Sequence, residues 1–419
     1  MDNRILQEAA DVYGTPSYVF DLDAFTRRIH AIRKILGHDI RIYYAMKANP
    51  FLTAAAAQAA DGLEVCSPGE YAICRRAGIS PEKIVLSGVN KEPGHIREIM
   101  KAQGAGTFTA ESPGQLKVLE ACAACGGNTP VRVLLRLTSG NQFGMDEDTI
   151  ESVIRDRGSY PHLDMIGLQY YSGTQKKHGA KIGKELERLD IVLCKIRDEL
   201  LFEFQELEYG PGFLIPYFKG EEGTEEMLML RDFRDSLHRM AFKGHISIEA
   251  GRFLAAPCGS YVTKIVDLKH SQGQNYCIVD GGINHVNYYG QAMAMKIPPY
   301  RFISRKGPGQ SEAGLSGVPE PVDLAYTANL HPTSESWTVC GSLCTSGDIL
   351  VKNLPLPGLK GGDLLVFDSI GAYSVTEGIY LFLSRNLPRI LTFTKSGGLC
   401  LVRRAIPTDM LNDGSINLE

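Results

Sequence analysis

Several things are scarce in these 419 residues, and each shortage excludes something. Lysine and arginine do not outnumber aspartate and glutamate, 44 against 48, and the net charge is −4. There is thus no basic field to hold a phosphate backbone, and no nucleic-acid partner is expected. No apolar run approaches the roughly 20 residues needed to span a bilayer. The opening MDNRILQEAADVYG has neither the basic nor the apolar region of a secretory leader. The expectation is a cytoplasmic protein with no membrane partner. The ten cysteines follow no regular spacing, which points to reduced thiols rather than a disulfide framework. The one CxxC, Cys122 to Cys125, ends a helical pattern, where packing of small residues at a helix terminus is expected and metal is not. Internal repeats and low-complexity tracts are absent.

What is present is ample apolar material, 44% of residues, enough for a large core and two domains. From residue 40 to 250, short β-branched runs alternate with helical patterns, each change marked by Gly, Pro, Ser or Asn. The strand candidates are IRIYYAMK, GLEVCS, KIVLSG, GTFTAES, VRVLLRLT, MIGLQYYSG, ELEYGPG and HISIEAG. Eight strands alternating with helices predict an α/β fold, a parallel (β/α)8 barrel over residues 26–260. Beyond Gly251, YVTKIVDLKH, NYCIVDGG, SWTVCGSLC, DLLVFDS and LCLVRRAI follow with few helical patterns between them, predicting a C-terminal β domain over 261–419. SYVFDL, within residues 1–25, is a strand expected to pair with that domain. KGPGQSEAGLSGVPEP (306–321) has loop composition and is expected to be mobile.

Barrel enzymes carry their chemistry at the C-terminal ends of the strands. There this chain places Lys47, Glu64 with Ser67 and Glu70, Glu111, Arg136, Tyr171, Thr174, Gly210, Gly212, Glu249, Gly251 and Arg252. Taken alone, Lys47 reads first as a lysine snorkelling from a barrel mouth. Desolvated, it would be an amine nucleophile able to form a Schiff base with an aldehyde cofactor. Arg136 reads as an interior ion-pair residue, with Glu64 or Glu111 as partner.

The neighbours of Lys47 favour the second reading. YYAMKANP resembles the lysine motif of the fold-type III pyridoxal-phosphate enzymes, the group of diaminopimelate, ornithine and arginine decarboxylases and alanine racemase. EVCSPGE, IVLSGVNK, FGMD, GLQYYSGTQ, GPGF, EAGRFL, CGSLCTSGD and GAYS follow in the family's order. The resemblance implies an alanine-racemase-like barrel, pyridoxal 5'-phosphate as cofactor, and α-decarboxylation through a quinonoid intermediate. It implies that Lys47 carries the cofactor, and that Glu249 faces the pyridine nitrogen and deepens the electron sink. A racemase of this fold has arginine there, so glutamate favours decarboxylation. Gly210, Gly212, Gly251, the backbone at Arg252 and the Tyr373 hydroxyl match the phosphate cradle. Glu64, Arg136, Tyr171 and Thr174 match the cofactor pocket. Cys344 and Asp348 match a loop that crosses a homodimer interface into a shared active site, with Cys344 as general acid. Cys66, Cys74, Cys194, Cys258, Cys277, Cys340 and Cys400 are expected to be buried and inert.

Three departures bear on the substrate. Tyr171 stands where the common decarboxylases stack a histidine. Thr345 follows the cysteine, where ornithine and diaminopimelate decarboxylases have an acid for the distal ammonium. VDGGINHVNYYGQAM (279–293) lacks the arginine that holds diaminopimelate's distal carboxylate. The LCTxxD form, QFGMDE, GTQ and PYF (216–218) are most similar to a specialised-metabolism subgroup. That subgroup includes the butirosin-biosynthesis decarboxylase, which acts on a carrier-protein glutamyl thioester, and decarboxylases of carboxylate siderophore pathways. The implied substrate is a small amino acid or its derivative, free or on an acyl-carrier protein, with Arg252, Thr345, Asp348 and Tyr373 as its contacts. Diaminopimelate decarboxylase proper and a non-catalytic regulatory homologue are the alternatives.

Overall fold

The computed structural model describes residues 1–102, 104–126, 129–177, 179–221, 226–288, 294–305 and 336–415. The 306–321 segment read as a loop lies outside them. The chain forms two compact units. One comprises Ala24–Ile215 and Gly223–Ala256; the other comprises Met1–Asp23, Pro216–Glu222 and Pro257–Glu419.

The first strand, β1 (Ser17–Asp21), belongs to the second unit. The next eight are β2 (Ile40–Ala45), β3 (Gly62–Val65), β4 (Ile84–Leu86), β5 (Thr107–Ala110), β6 (Val131–Leu137), β7 (Leu163–Tyr171), β8 (Glu206–Gly210) and β9 (His245–Ala250). Each coincides with one of the eight runs read in the sequence. All pair in parallel and in order, and β9 closes on β2, giving an eight-stranded barrel. Period-two alternation sends Leu207 and Tyr209 of β8 outward, where the Tyr209 ring stacks near Phe233 of the helix Glu226–Arg239. The same alternation turns Glu206 and Glu208 into the barrel, so this interior carries charge where such barrels are filled mainly with branched apolar residues.

Two strand exits use one local device. Ser67 and Ser112 cap the helices Pro68–Arg76 and Pro113–Ala123, accepting from the N–H of Glu70 and Gln115. The side chains of Glu70 and Gln115 reach back to the N–H of Cys66 and Glu111. Proline in the first helical turn adds a preset φ, and the polypeptide turns sharply from strand to helix.

The second unit is built on a mixed sheet. Its further strands are β10 (Gly259–Ser271), β11 (Gln274–Val279), β12 (Tyr300–Ile303), β13 (Ser336–Cys340), β14 (Ile349–Pro355), β15 (Leu364–Asp368), β16 (Arg389–Thr394) and β17 (Gly398–Arg403). The order is β14-β13-β11-β10-β1-β16-β17, with β15 pairing β10 and β12. β1 lies antiparallel to β10 and parallel to β16. The strands β12, β14 and β16 were not foreseen: YRFI is short, ILVKNLP ends in proline, and RILTFT is hidden behind the turn-rich SRNLP. The segment Pro216–Glu222 joins this unit through Lys219 N–H to the Ile297 carbonyl and the ring contact of Tyr217 with Tyr288. The unit's core includes Leu6, Val19, Val262, Val366 and Leu391. Among the described residues no helix is long and apolar enough to cross a membrane.

Leu391 is fully buried on β16, beside the strand whose pairing ties the chain's first residues to its last. Leu391→Ala is expected to cost about 2–5 kcal/mol, read as a shift in denaturant midpoint at unchanged slope. A cost well under 1 kcal/mol would mean that this core does not limit stability.

Candidate active site

Lys47 lies two residues beyond the last pairing of β2, in the tight turn Met46–Ala48. Asn49 accepts from Phe51 N–H through its side chain and from the Tyr44 hydroxyl through its carbonyl, which pins the turn from both sides. Lys47 Nζ lies 2.7 Å from Glu64 Oε2 and 3.0 Å from Glu249 Oε1. Barrel closure makes this possible, because β9 pairs with β2 on one side and β3 pairs with it on the other.

The two carboxyls share one cation and cannot both be ionised cheaply. Burial opposes ionisation of Glu64, yet the Lys47 ammonium and hydrogen bonds from Glu249, Lys47 and Ser87 overcome it and hold Glu64 down to about 2. Glu249 moves the other way, raised by burial and then by the charge on Glu64. The site therefore gathers around one amine two buried carboxyls of opposite tendency, Glu64 favouring its charged form and Glu249 its neutral one. Cys66 Sγ is 3.9 Å from the same Nζ. Its place in the site is a correction to the sequence reading, although burial and then the Glu64 charge push its thiol well up and leave it inert. Cys400 also departs from expectation, since it is exposed on β17.

Three glycines at the ends of β8 and β9 have no room for a side chain. A Cβ on Gly212, whose φ is +60°, would lie 2.0 Å from the Gly173 carbonyl oxygen. One on Gly210 would meet the Tyr171 ring at 2.5 Å, and one on Gly251 the Ala48 Cβ at 2.9 Å. Tyr171 is hydrogen-bonded to Thr174, and burial, then the Glu249 charge, raises its hydroxyl. Arg252 follows Gly251 as the first residue of a single helical turn, Arg252–Ala255, and its charge also reaches Tyr171. Arg136 pairs with Glu111 at 2.9 Å and lies over the Phe143 ring; of the two partners read in the sequence, Glu111 is the one present.

A lysine amine at a strand end, a carboxyl beside it shifted toward its neutral form and glycines with no room for a Cβ suit a phosphorylated heteroaromatic aldehyde. Residues 22–256 match the pyridoxal-binding domain of the pyridoxal-dependent decarboxylases, more than half of the chain. The chain belongs to that family. This decarboxylase is 28% identical to the L-glutamyl-[BtrI acyl-carrier protein] decarboxylase of Niallia circulans, over 94% of this chain and 91% of that one. It is also 28% identical to the diaminopimelate decarboxylase of Vibrio cholerae, over 88% and 86%. The fold matches diaminopimelate decarboxylase of Helicobacter pylori in complex with L-lysine, with a TM-score of 0.80 at 21% identity over 96% of this chain and 97% of that one. It is a pyridoxal-phosphate-dependent decarboxylase with an alanine-racemase-like fold.

The remaining residues singled out in the sequence of the decarboxylase lie in its sheet-bearing unit. Cys344 and Thr345 are exposed on the loop between β13 and β14. Asp348 is buried, its two oxygens accepting from Ile283 N–H at 2.8 Å and Leu343 N–H at 2.7 Å. A Cβ on Gly282 or Gly341 would strike that carboxylate, so the loop is packed around it. Both oxygens of Asp348 thus engage the backbone around it, and its carboxylate shapes the loop. Tyr373 has φ +67°, costly for an aromatic residue, and its carbonyl accepts the N–H groups of Thr376 and Glu377. Sequence reading gave no role to Lys91, the lysine closing IVLSGVNK. It is buried, donates to the Gly88 carbonyl at 2.7 Å, and is brought down to about 8 by burial against the pull of Glu111. Among the described residues no cluster of histidine, cysteine, aspartate or glutamate is arranged to hold a metal.

Gly212→Ala is expected to weaken pyridoxal phosphate binding about tenfold or more, from a left-handed penalty of roughly 1–2 kcal/mol plus the clash with Gly173. An absorbance titration of the cofactor measures it, and an unchanged Kd would remove Gly212 from the cradle.

Proposed function

We propose that the enzyme removes the α-carboxyl group of an amino-acid derivative whose distal end is not a free ammonium, the nearest class being a glutamyl thioester on a carrier protein. Pyridoxal phosphate, when bound, supplies the electron sink that accepts the bonding pair as CO2 leaves. Lys47 is the amine that holds it, and Glu64 is the standing counter-charge of that amine. Glu249 keeps a proton to offer to a basic ring nitrogen, and Tyr171 supplies a flat face for stacking. Cys344 is the thiol acid that returns a proton to carbon, reaching a neighbouring subunit's site in a homodimer.

The observation that carries the substrate reading is the state of the Leu343–Asp348 loop. Its one acid, Asp348, is buried and engaged by two backbone N–H groups. Thr345 offers only a hydroxyl, itself accepting from Gly347 N–H at 3.4 Å. A distal ammonium would find no carboxylate on this loop, and an unpartnered ammonium in a desolvated site is strongly disfavoured. The similarity to the glutamyl-carrier decarboxylase supports the same reading, and Arg252 is the candidate cation for a carboxylate or phosphate on such a substrate.

CO2 release should be measured with free meso-diaminopimelate, lysine, ornithine and glutamate beside a glutamyl thioester. Turnover is expected only with the thioester, and robust turnover of diaminopimelate would return the enzyme to the diaminopimelate decarboxylases. Cys344→Ala is expected to lower kcat by roughly 10²–10⁴ with little change in KM. Mixing it with Lys47→Ala is expected to restore activity in hybrid dimers; a lack of restoration would mean that Cys344 serves its own subunit or none.

A further inference from the structure

Beneath Lys47 the barrel interior holds a second level of polar side chains that the chemistry above does not use. Glu208 on β8 is fully buried. Its Oε1 accepts from Gln169 Nε2 at 2.5 Å, and the same amide reaches Ser87 Oγ at 3.3 Å. Ser87 is hydrogen-bonded to Glu64, and Glu64 contacts Lys47. The second oxygen, Glu208 Oε2, has no hydrogen-bond partner among the described residues. A carboxylate enclosed in this way is poorly placed to carry charge.

The groups facing Glu208 reinforce the point. Glu64 comes from β3, Glu206 from its own strand, Tyr43 from β2 and Glu249 from β9; the Lys47 charge opposes them. The Arg41 guanidinium, farther along β2, is engaged by Glu206 and Tyr43. Burial, then the Glu64 charge, pushes Glu208 up to about 8.

We infer that Glu208 is a positioning residue that sets the charge around Lys47: it is the neutral end of a Glu64–Ser87–Gln169–Glu208 column, and its ionisation adds a second negative charge to the site. With Glu208 neutral, Glu64 alone balances the amine. With Glu208 ionised, the interior holds two carboxylates, which stabilises a proton on Lys47 or on any basic nitrogen of the bound cofactor. This rests on Lys47 being the lysine that carries the cofactor.

The test is a pH titration of the visible cofactor absorbance in the full-length, cofactor-loaded protein, run beside melting curves. The wild-type absorbance is expected to show a step near pH 8 that Glu208→Gln removes and Glu208→Asp keeps. Melting adds a sign that a spectral change alone would not give. An acid whose folded proton affinity is raised contributes stability in full below its ordinary range, and that stability is lost as pH rises through about 8. Glutamine has no such loss, so the Tm of Glu208→Gln relative to wild type is expected to climb between pH 5 and 9. Superimposable titrations and parallel Tm curves would overturn the inference.

If Glu208→Gln does not accumulate, Ser87→Ala serves instead. It leaves the acid in place, gives Gln169 no other acceptor than Glu208, and is expected to move the step to lower pH; an unmoved step overturns the inference equally. Lys47→Ala separates the two layers of argument. If its cofactor absorbance matches wild type, the assignment of Lys47 fails. If that absorbance is lost while Glu208→Gln titrates as wild type, only the role of Glu208 fails.

Discussion

One ammonium held between two buried carboxyls governs the barrel unit. Lys47 stands 2.7 Å from Glu64 and 3.0 Å from Glu249, and one positive charge cannot stabilise two buried negative ones equally. Glu64 is shifted toward its charged form by the Lys47 ammonium and then by donors from Glu249, Lys47 and Ser87; Glu249, buried beside that charge, is shifted toward its neutral form. The division of labour between two chemically identical side chains is therefore set by their second neighbours. It also depends on topology, since Glu249 is 202 residues from Lys47 and reaches it only because the last strand of the barrel closes on the first.

Backbone packing around the site follows a related logic. Where the strand ends converge, space is limited by main chain and side chains alike: the Gly173 carbonyl stands over Gly212, and the Tyr171 ring over Gly210. Glycine is required there because these atoms pass where a Cβ would lie. In the sheet-bearing unit the equivalent organiser is a side chain. Asp348 gathers the N–H groups of Ile283 and Leu343, and the glycines at 282 and 341 allow the chain to close around its carboxylate.

What the sequence disclosed follows the range of the interactions involved. The eight barrel strands were legible because each is a local apolar run ended by a turn, and the alternation repeats. Lys47, Glu64 and Glu249 were legible because each sits in a short contiguous motif at a strand end. Glu208 was not, because ELEYGPG drew notice for its glycines, and an acid alternating with Leu207 and Tyr209 looks like the wet face of a strand. Only closure of the barrel makes that face an interior. Cys66 was passed over for a similar reason, since its nearness to Lys47 is a contact between two strands. The parallel pairing of β1 with β16 spans most of the chain, and no local pattern encodes such a partner. Asp348 was recognised by motif, but its hold on the backbone was not, because a motif gives the position of a carboxylate and not the direction of its oxygens.

On the function proposed above, chemistry and selectivity are carried by different parts of this chain. The family match ends at residue 256, and the lysine, its two carboxyls and the glycine cradle all fall within it. Two of the three departures that bear on the substrate fall after it: Thr345, and the segment 279–293 without its arginine. The third, Tyr171, lies inside the match but changes how a ring is stacked rather than which distal group is read. On that proposal, one electrostatic arrangement for breaking the bond to CO2 is kept while the substrate is set by a few loop residues. Asp348, engaged by two backbone N–H groups, then leaves no other acid on its loop for a distal ammonium, and an ammonium left without a partner is rejected more firmly than a missing contact alone would achieve.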